Sequence, residues 1–577
     1  MRKNSRAILW LPVAVVSVLS AAALCSLPVT AEQTTAQPQV LRNAVVNEAV
    51  QYDVSAPLGE MAQSPAQAGI SVVVRPMLQP KLNKLKSATP GASGNVAHYP
   101  SPGPLISATV GVGFEGVGQV GGPLDCPSVS MQTLVPPDTN AAVGDTQVVE
   151  WVNTCYAVFN KSNGALIAGP FAGTNFWKGF GAPCETNNDG DIIIQWDKTN
   201  HRWLAAQNVF NGPPFYSCVA VSQTNDATGS YFRYTFPQSA GFPDYPKWAI
   251  TRQAYYQTQN LFDPNSNAFL GVNVCAYQSN LMLKGNPKAE QVCIADNSNG
   301  TLFDDSMLPA DDDNPARAED SSAPGKAGPE ILLGAIDNFY PGGPTVYEFV
   351  FSVDFIEPSN STLAGVNGSM PILVPRYDLA YCGTLPNIST YCVPQPAPGS
   401  ELLDTLGDRL MYRLAHFVDI KGVQHFLVTH NVNDTSAVAA RWYEFRAPAG
   451  STNLSLYQSG QTPDDSHYRW MGSIAMDRKG DIALGYSRSS GQTGDQPSIY
   501  YAGQTAGDAL GTTETEARIL QGRGSQLHSF NRWGDYTSMA LDGADSCTFW
   551  YANEYYPKNG AFAWNTWVAS VKFPSCP

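Results

Sequence analysis

Long apolar runs are scarce in this chain of 577 residues. After the N-terminal stretch AILWLPVAVVSVLSAAALC there is no second run of about twenty apolar residues, so no further segment reads as a membrane-crossing helix. Charge is scarce too, at 14% of residues, and it is lopsided: 34 Lys and Arg stand against 49 Asp and Glu, a formal charge of −15. Phosphate backbones are gripped by clustered Lys and Arg, so nucleic acid is excluded as a partner. The motifs GxSxG, HExxH and GxxxxGK[ST] are all absent, which removes the serine-hydrolase, zincin and phosphate-loop classes. The cysteines form no paired CxxC set, which argues against a zinc cluster. Beyond Cys126 no long stretch has helical period.

What is abundant is glycine (50), proline (43) and aromatic residues (11%). That is the make-up of strands and turns. The N-terminus has the three parts of a secretory signal: Arg2, Lys3 and Arg6, the apolar run, then small residues ending at Val29-Thr30-Ala31, with a cut expected after Ala31. A retained anchor is the alternative, disfavoured by Pro12 and by the cleavage-type site. A lipoprotein at Cys25 is a poorer fit, because Leu24 precedes it where a small residue is needed. Residues 1–31 are thus expected to be removed, leaving no transmembrane anchor and a secreted or periplasmic protein, monomeric, with a charge of −18.

Loss of Cys25 leaves ten cysteines, an even number for an oxidising compartment. In a meandering β fold sequence neighbours tend to be neighbours in space. The expected pairs are Cys126–Cys155, Cys184–Cys218, Cys275–Cys293, Cys382–Cys392 and Cys547–Cys576, although sequence alone does not fix connectivity. Residues 32–125, rich in Gln, Ala, Pro, Gly and Ser, read as an extended or partly disordered leader, or as a strap over the main domain.

Residues 126–577 repeat a short apolar strand, a polar turn and a second strand. RWMGSIAMDRKGDIALGYS from Arg469 and RWGDYTSMALDGADSCTFWYANEY from Arg532 are the clearest pair. Looser copies begin at Asp138, Asp189, Asp244 and Asp408, and one with a different opening begins at Ile331. Seven such units leave about 65 residues each, enough for a four-stranded blade with long loops. The expected fold is all-β, a six- or seven-bladed propeller with seven favoured; ordinary hairpins in a large β protein are the alternative.

The series PPDTNAAVGD, CETNNDGD, DYPKW, LGDRLMYRL, YRWMGSIAMD and NRWGDYTSM resembles a family of exported bacterial proteins described as sialidase-like or uncharacterised propellers. The resemblance implies the fold and not a reaction. Two sialidase marks are missing: the Asp-box is only loosely echoed by Ser473 to Gly480, and there is no Arg-Ile-Pro motif.

In a propeller the first strand of each blade lines the central channel, so polar residues at its start face the mouth. That rule selects Asp138, Asp189, Asp191, Asp244, Lys247, Asp408, Arg409, Arg413, Arg469, Trp470, Arg532, Trp533, Asp535 and Glu554. From these, Asp244, Asp535 and Glu554 are the candidate catalytic acid and base. Arg409, Arg469 and Arg532 are candidates for holding a ligand carboxylate, and Trp470 and Trp533 for stacking on a sugar ring. The blander role for each is to tie neighbouring blades together. A Tyr536 or Tyr555 nucleophile paired with Glu554 is a weaker idea in a chain with 26 tyrosines. His416, His425 and His430 read as isolated histidines rather than metal ligands.

No cofactor is expected, with calcium as the one alternative. Glu185, Asn187, Asp189 and Gly190 copy the opening of a calcium loop, but Trp196 stands where its closing Glu belongs. The acidic run Asp304, Asp305, Asp311, Asp312, Asp313, Glu319 and Asp320 reads as a solvated loop. Two functions remain open. One is a carbohydrate-active enzyme, a glycosidase or lyase, acting on an acidic sugar polymer or glycoconjugate. The other is a non-catalytic extracellular binding or surface-interaction propeller.

Overall fold

Alternation of apolar and polar residues punctuated by Gly, Pro, Asn and Asp is what short antiparallel strands require, and the computed structural model is all-β. It describes Met1 and residues 37–61, 99, 103–119, 122–127, 135–238, 241–296, 305–314, 325–336, 345–380, 382, 392–434, 437–527 and 531–577. The expected signal and its cleavage site lie outside the described residues, as do Asp304, Glu319 and Asp320. No helix among the described residues is long and apolar enough to cross a membrane.

The strands fall, among the described residues, into seven four-stranded antiparallel runs. Run I begins at Asn140–Val143 and ends at Leu166–Ala172; run II spans Ile193–Asp197 to Tyr231–Pro237; run III spans Phe242–Ile250 to Glu290–Asp296. Run IV goes from Leu308–Asp312 to Thr362–Ala364, run V from Leu410–Val418 to Ser455–Gln461, and run VI from Tyr468–Met476 to Ala517–Leu520. Run VII comprises Ser538–Leu541, Thr548–Tyr555 and Asn565–Lys572, and its outer strand is Thr109–Glu115, from the other end of the chain. The first strands touch one another in chain order, and that of run VII touches that of run I. Those of runs IV and V pair in parallel, Ala310 opposite Leu414, merging two runs into one sheet.

Two expectations change here. The unit read from Ile331 enters on a second strand, Lys326–Ile336, because the first strand of run IV is Leu308–Asp312. Asp311, Asp312 and Asp313 are therefore buried, not solvated, and so is Asp305. The burial is compensated: Arg413 reaches both Asp311 and Asp313, Lys198 reaches Asp313 at 2.7 Å, and His416 pairs with Asp312. The segment read as a leader also supplies structure. Val40–Leu41, Val45–Glu48 and Gln51–Val54 add outer strands to runs IV, III and II in turn, which covers edges that would otherwise offer unpaired N–H and C=O groups.

Apolar faces of adjacent runs pack on each other. Trp151 and Val149 of run I meet Ile194, Trp203 and Ala205 of run II, and Tyr234 and Phe236 of run II meet Trp248 and Tyr277 of run III. All five expected disulfides are formed. Cys547–Cys576 ties the second strand of run VII to the chain end. Replacing both cysteines by Ser is expected to cost about 2–4 kcal/mol, read in calorimetry as one shifted transition of the whole body. A separate early transition would show that run VII unfolds independently.

Candidate functional site

At the starting ends of the first strands the backbone repeats an uncommon conformation. Asp138 (φ 50°), Asp191 (50°), Tyr245 (55°), Ser306 (48°), Met471 (53°) and Asp535 (61°) are all non-glycine residues in the left-handed region. Such residues cost conformational energy and persist where the surroundings over-determine them, which is common at functional sites. Gly534 (φ 74°) precedes Asp535, and a Cβ there would come within 2.9 Å of the Met471 side chain. These kinks carry side chains of several runs to one place. Asp138 N donates to Gly534 O at 3.1 Å, Tyr245 N to Asp191 Oδ2 at 3.2 Å, and the Tyr245 hydroxyl to Asp535 O at 3.1 Å. The Tyr536 hydroxyl donates to Pro246 O at 3.2 Å. Runs III and VII are not neighbours in chain order, so these last two bonds join elements far apart in the series of runs.

Lys247 occupies the middle. It is 1% exposed, and its Nζ makes no hydrogen bond among the described residues. Instead it lies 3.1 Å from the ring centroid of Tyr245 and 3.5 Å from that of Tyr536, with Tyr412 at 5.7 Å. Burial, with Arg409 adding to it, holds the amine well below its ordinary pKa against the pull of Asp191, Asp535 and Asp138.

Asp138, Asp191 and Asp535 act on Lys247 directly, and Asp244, Asp305, Asp404 and Asp408 join them through Arg409 and Arg532. Asp138, Asp191, Asp244 and Asp404 are raised above the ordinary carboxylate value, by burial first. Burial, then the Asp191 and Asp535 charges, raise Asp138 well above the carboxylate range, and it shares a hydrogen bond with Asp191. Asp244 is part-buried, and burial with the Asp191 charge pushes it up to about 7, against Arg409. The guanidinium groups are already engaged. Arg409 Nε donates to Asp408 Oδ1 at 2.8 Å and its Cζ lies 4.5 Å from the Tyr245 centroid, while Arg532 pairs with Asp535. The arrangement can protonate a leaving group at neutral pH through Asp244, and it offers Asp535 as an ion-paired carboxylate.

The cluster thus gathers Asp244, Asp535, Arg409 and Arg532. Other residues named from the sequence lie elsewhere. Arg469 is buried against Asp465 and Glu516, donating to Asp465 Oδ1 at 2.9 Å and Glu516 Oε2 at 2.8 Å. Trp470 and Trp533 are 0% exposed, their centroids 5.6 Å apart in the core, so neither ring can lie on a sugar. Glu554 is also sealed off; its Oε2 accepts the Gly534 N–H at 2.9 Å, which positions the turn carrying Asp535. Burial raises its pKa well above the carboxylate range. Arg413 ties run V to runs IV and VII, through Asp311, Asp313 and Met539 O. Asp189 accepts the Phe210 N–H at 2.8 Å.

The histidines go separate ways, His416 to Asp312, His425 to Glu444 at 2.7 Å and His430 to the Tyr443 hydroxyl at 3.0 Å. No group of three or more His, Cys, Asp or Glu is set to hold a metal among the described residues. Sequence reasoning passed over Tyr245, Tyr412 and Asp404; the signal for them is that Tyr245 lies within DYPKW, Tyr412 within LGDRLMYRL and Asp404 just before it.

No protein-family model matches the chain, and no curated protein matches it. Solved structures do. They include the polysaccharide lyase Uly1 (11% identity, 80% of this chain and 98% of that one, TM-score 0.35). The extracellular domains 1–2 of Drosophila semaphorin 1b match with 9% identity over 82% and 88% of the two chains, TM-score 0.33. A Trypanosoma rangeli sialidase matches with 7% identity over 65% and 53%, TM-score 0.28.

Proposed function

We propose that the seven runs are the blades of a seven-bladed propeller, exported and monomeric, that acts on carbohydrate where the first strands begin. The chain-order contacts of the first strands, with run VII against run I, support the ring; the outer strand Thr109–Glu115 closes it. The observation that carries the reaction is Asp244, a part-buried carboxyl that titrates at about 7 beside carboxyls from two other runs. Such a group donates a proton to a glycosidic oxygen at neutral pH, with Asp535 as the opposing carboxylate. Lys247 and its tyrosines form the floor.

A screen of glycosides and polysaccharides with the purified protein tests this. With any substrate found, Asp244→Asn is expected to lose about 10²–10⁴-fold in kcat while melting as wild type does. Rates should fall as pH rises above about 7, where Asp244 loses its proton. Unchanged turnover in the Asn variant removes Asp244 from the mechanism. The binding-protein reading draws support from how fully Arg409, Arg532 and Lys247 are already enclosed. Glycan binding without turnover of any substrate, insensitive to Asp244→Asn, would establish it instead.

A further inference from the structure

At the opposite end, where the first strands of runs V and VI finish, lies a groove of about 770 Å³ that the reading above does not use. Its walls carry exposed apolar surface: Ile420 is 76% exposed, Leu510 57% and Tyr457 41%. Exposed apolar groups gathered in one concavity mark a contact surface more often than chance scatter does. The Arg446 guanidinium lies 3.2 Å from the Tyr457 ring centroid and is tied to Glu444. Tyr457 is thereby a fixed aromatic plate, one face covered by a cation and a large part still open.

Electrostatics distinguishes this groove from the rest of the molecule. On a chain of net charge −15, the lining carries Lys421, Arg446, Arg478 and Lys479 against Asp419, Glu444 and Asp508, and each of these carboxylates is already engaged, Glu444 by Arg446, Asp419 beside His425 and Asp508 by Thr505. The amines of Lys421 and Lys479 have no ion pair among the described residues. Among the described residues the Arg478 guanidinium donates to Cys547 Sγ and to Pro577 O and meets no carboxylate side chain. On the floor His425 is 5% exposed; its Nδ1 meets Glu444, whereas Nε2 makes no hydrogen bond among the described residues, Asp419 Oδ2 lying 3.6 Å away. Gln458 and Gln504 bond each other, Gln458 Nε2 donating to Gln504 Oε1 at 2.9 Å, and Asp508 accepts the Thr505 N–H at 2.7 Å, so these side chains shape the wall of the lining.

An aromatic plate, surface cations without an ion pair among the described residues and a buried ring nitrogen without a hydrogen bond together suit a ligand with flat apolar faces, hydroxyls and carboxylates. We propose that the groove between runs V and VI is a binding site for a chain of uronic acid sugars. The carboxylates meet Lys421, Lys479 and Arg478, a sugar face lies on Tyr457, and a hydroxyl bonds His425 Nε2 on the floor. The anionic preference expected from the sequence is then served at this end. The site stands on its own observations and does not rest on Asp244 chemistry.

The probe is a short oligogalacturonate, with a neutral galactan oligomer of the same length and poly-glutamate as comparisons, in calorimetric titrations of the full chain. Wild type is expected to bind the uronate, more weakly as salt rises, and to ignore the neutral chain. Lys421→Glu with Lys479→Glu should weaken binding at least about tenfold. Tyr457→Ala should weaken the uronate and leave any poly-glutamate binding unchanged. All three positions are on the surface, so folding is preserved, and Asp244→Asn should bind the uronate as wild type does. No uronate binding by wild type, or an unaltered affinity in the double Glu variant, overturns the site. Equal binding of poly-glutamate and uronate, both insensitive to Tyr457→Ala, overturns the sugar in favour of an acidic protein partner.

Discussion

Replacing Arg469 by Ala is expected to cost about 3–5 kcal/mol of stability and to leave carbohydrate binding by the folded protein unchanged. The guanidinium makes two bonds to Asp465, at 2.9 Å each, and two to Glu516, at 2.8 Å each. It also donates to the Pro463 and His467 carbonyls at 3.1 Å. Its removal leaves Glu516, only 9% exposed at its side chain, with Arg488 and the Tyr486 hydroxyl as remaining partners. Asp465 is 40% exposed and recovers water, which places the loss toward the lower end of the range. Arg469→Lys keeps the charge without the planar fork and should lie between the two. Urea unfolding with glycan titration checks this. A variant that unfolds as wild type does and loses its ligand would return Arg469 to a binding role.

The second large effect is on pH. Glu150, Asp244, Glu348 and Asp477 are each pushed up to about 7 by burial, and Asp404 to about 6. Like charges add to it: Asp191 acts on Asp244, Asp481 on Asp477 and Asp408 on Asp404. In the unfolded chain these groups titrate near 4, so between about 4 and 7 the folded state binds more protons than the unfolded one. Stability is then fully present below the unfolded values and falls as pH rises through the folded ones. A tenfold change in acidity is worth about 1.4 kcal/mol, so the five groups together outweigh most single substitutions. Lys247, held low by burial, runs the other way, gaining stability as pH climbs toward the ordinary lysine value. It is one group against five. Carboxyls held low, such as Asp465 at about 2, lose their contribution only in strong acid. The melting temperature is therefore expected to be higher at pH 5 than at pH 8. A maximum at pH 8 would mean that these carboxyls are ionised in the folded protein.

The disulfides and most strands were legible because they are local. Cys275 and Cys293 sit opposite each other on adjacent strands, as sequence neighbours in a meander must. The acidic run misled because its compensation comes from far along the chain: Asp313 is paired by Lys198 and Arg413, and nothing in its own segment announces them. Composition hid the outer strands of the strap in the same way. VVNE and QYDV look like linker and become strand only against Cys293 and Tyr234. At the candidate site the rule of strand starts found Asp244, Asp535, Arg409 and Arg532, and it also found Lys247. It placed Trp470 and Trp533 at a surface because it gives no depth; strand position selects a residue, while burial depends on the facing sheet.

The pairing of Thr109–Glu115 with Asn565–Lys572 also sets an order of events in time. A ribosome makes Thr109–Glu115 long before Asn565–Lys572, so run VII stays incomplete until the later strand is made. Until then the strand that completes it has nothing to pair with. Joining strands so far apart in sequence carries a large loop-closure entropy, and contacts of that span slow folding. A chain cut before Asn565 would leave Thr109–Glu115 without its partner strand, an unpaired edge open to other copies.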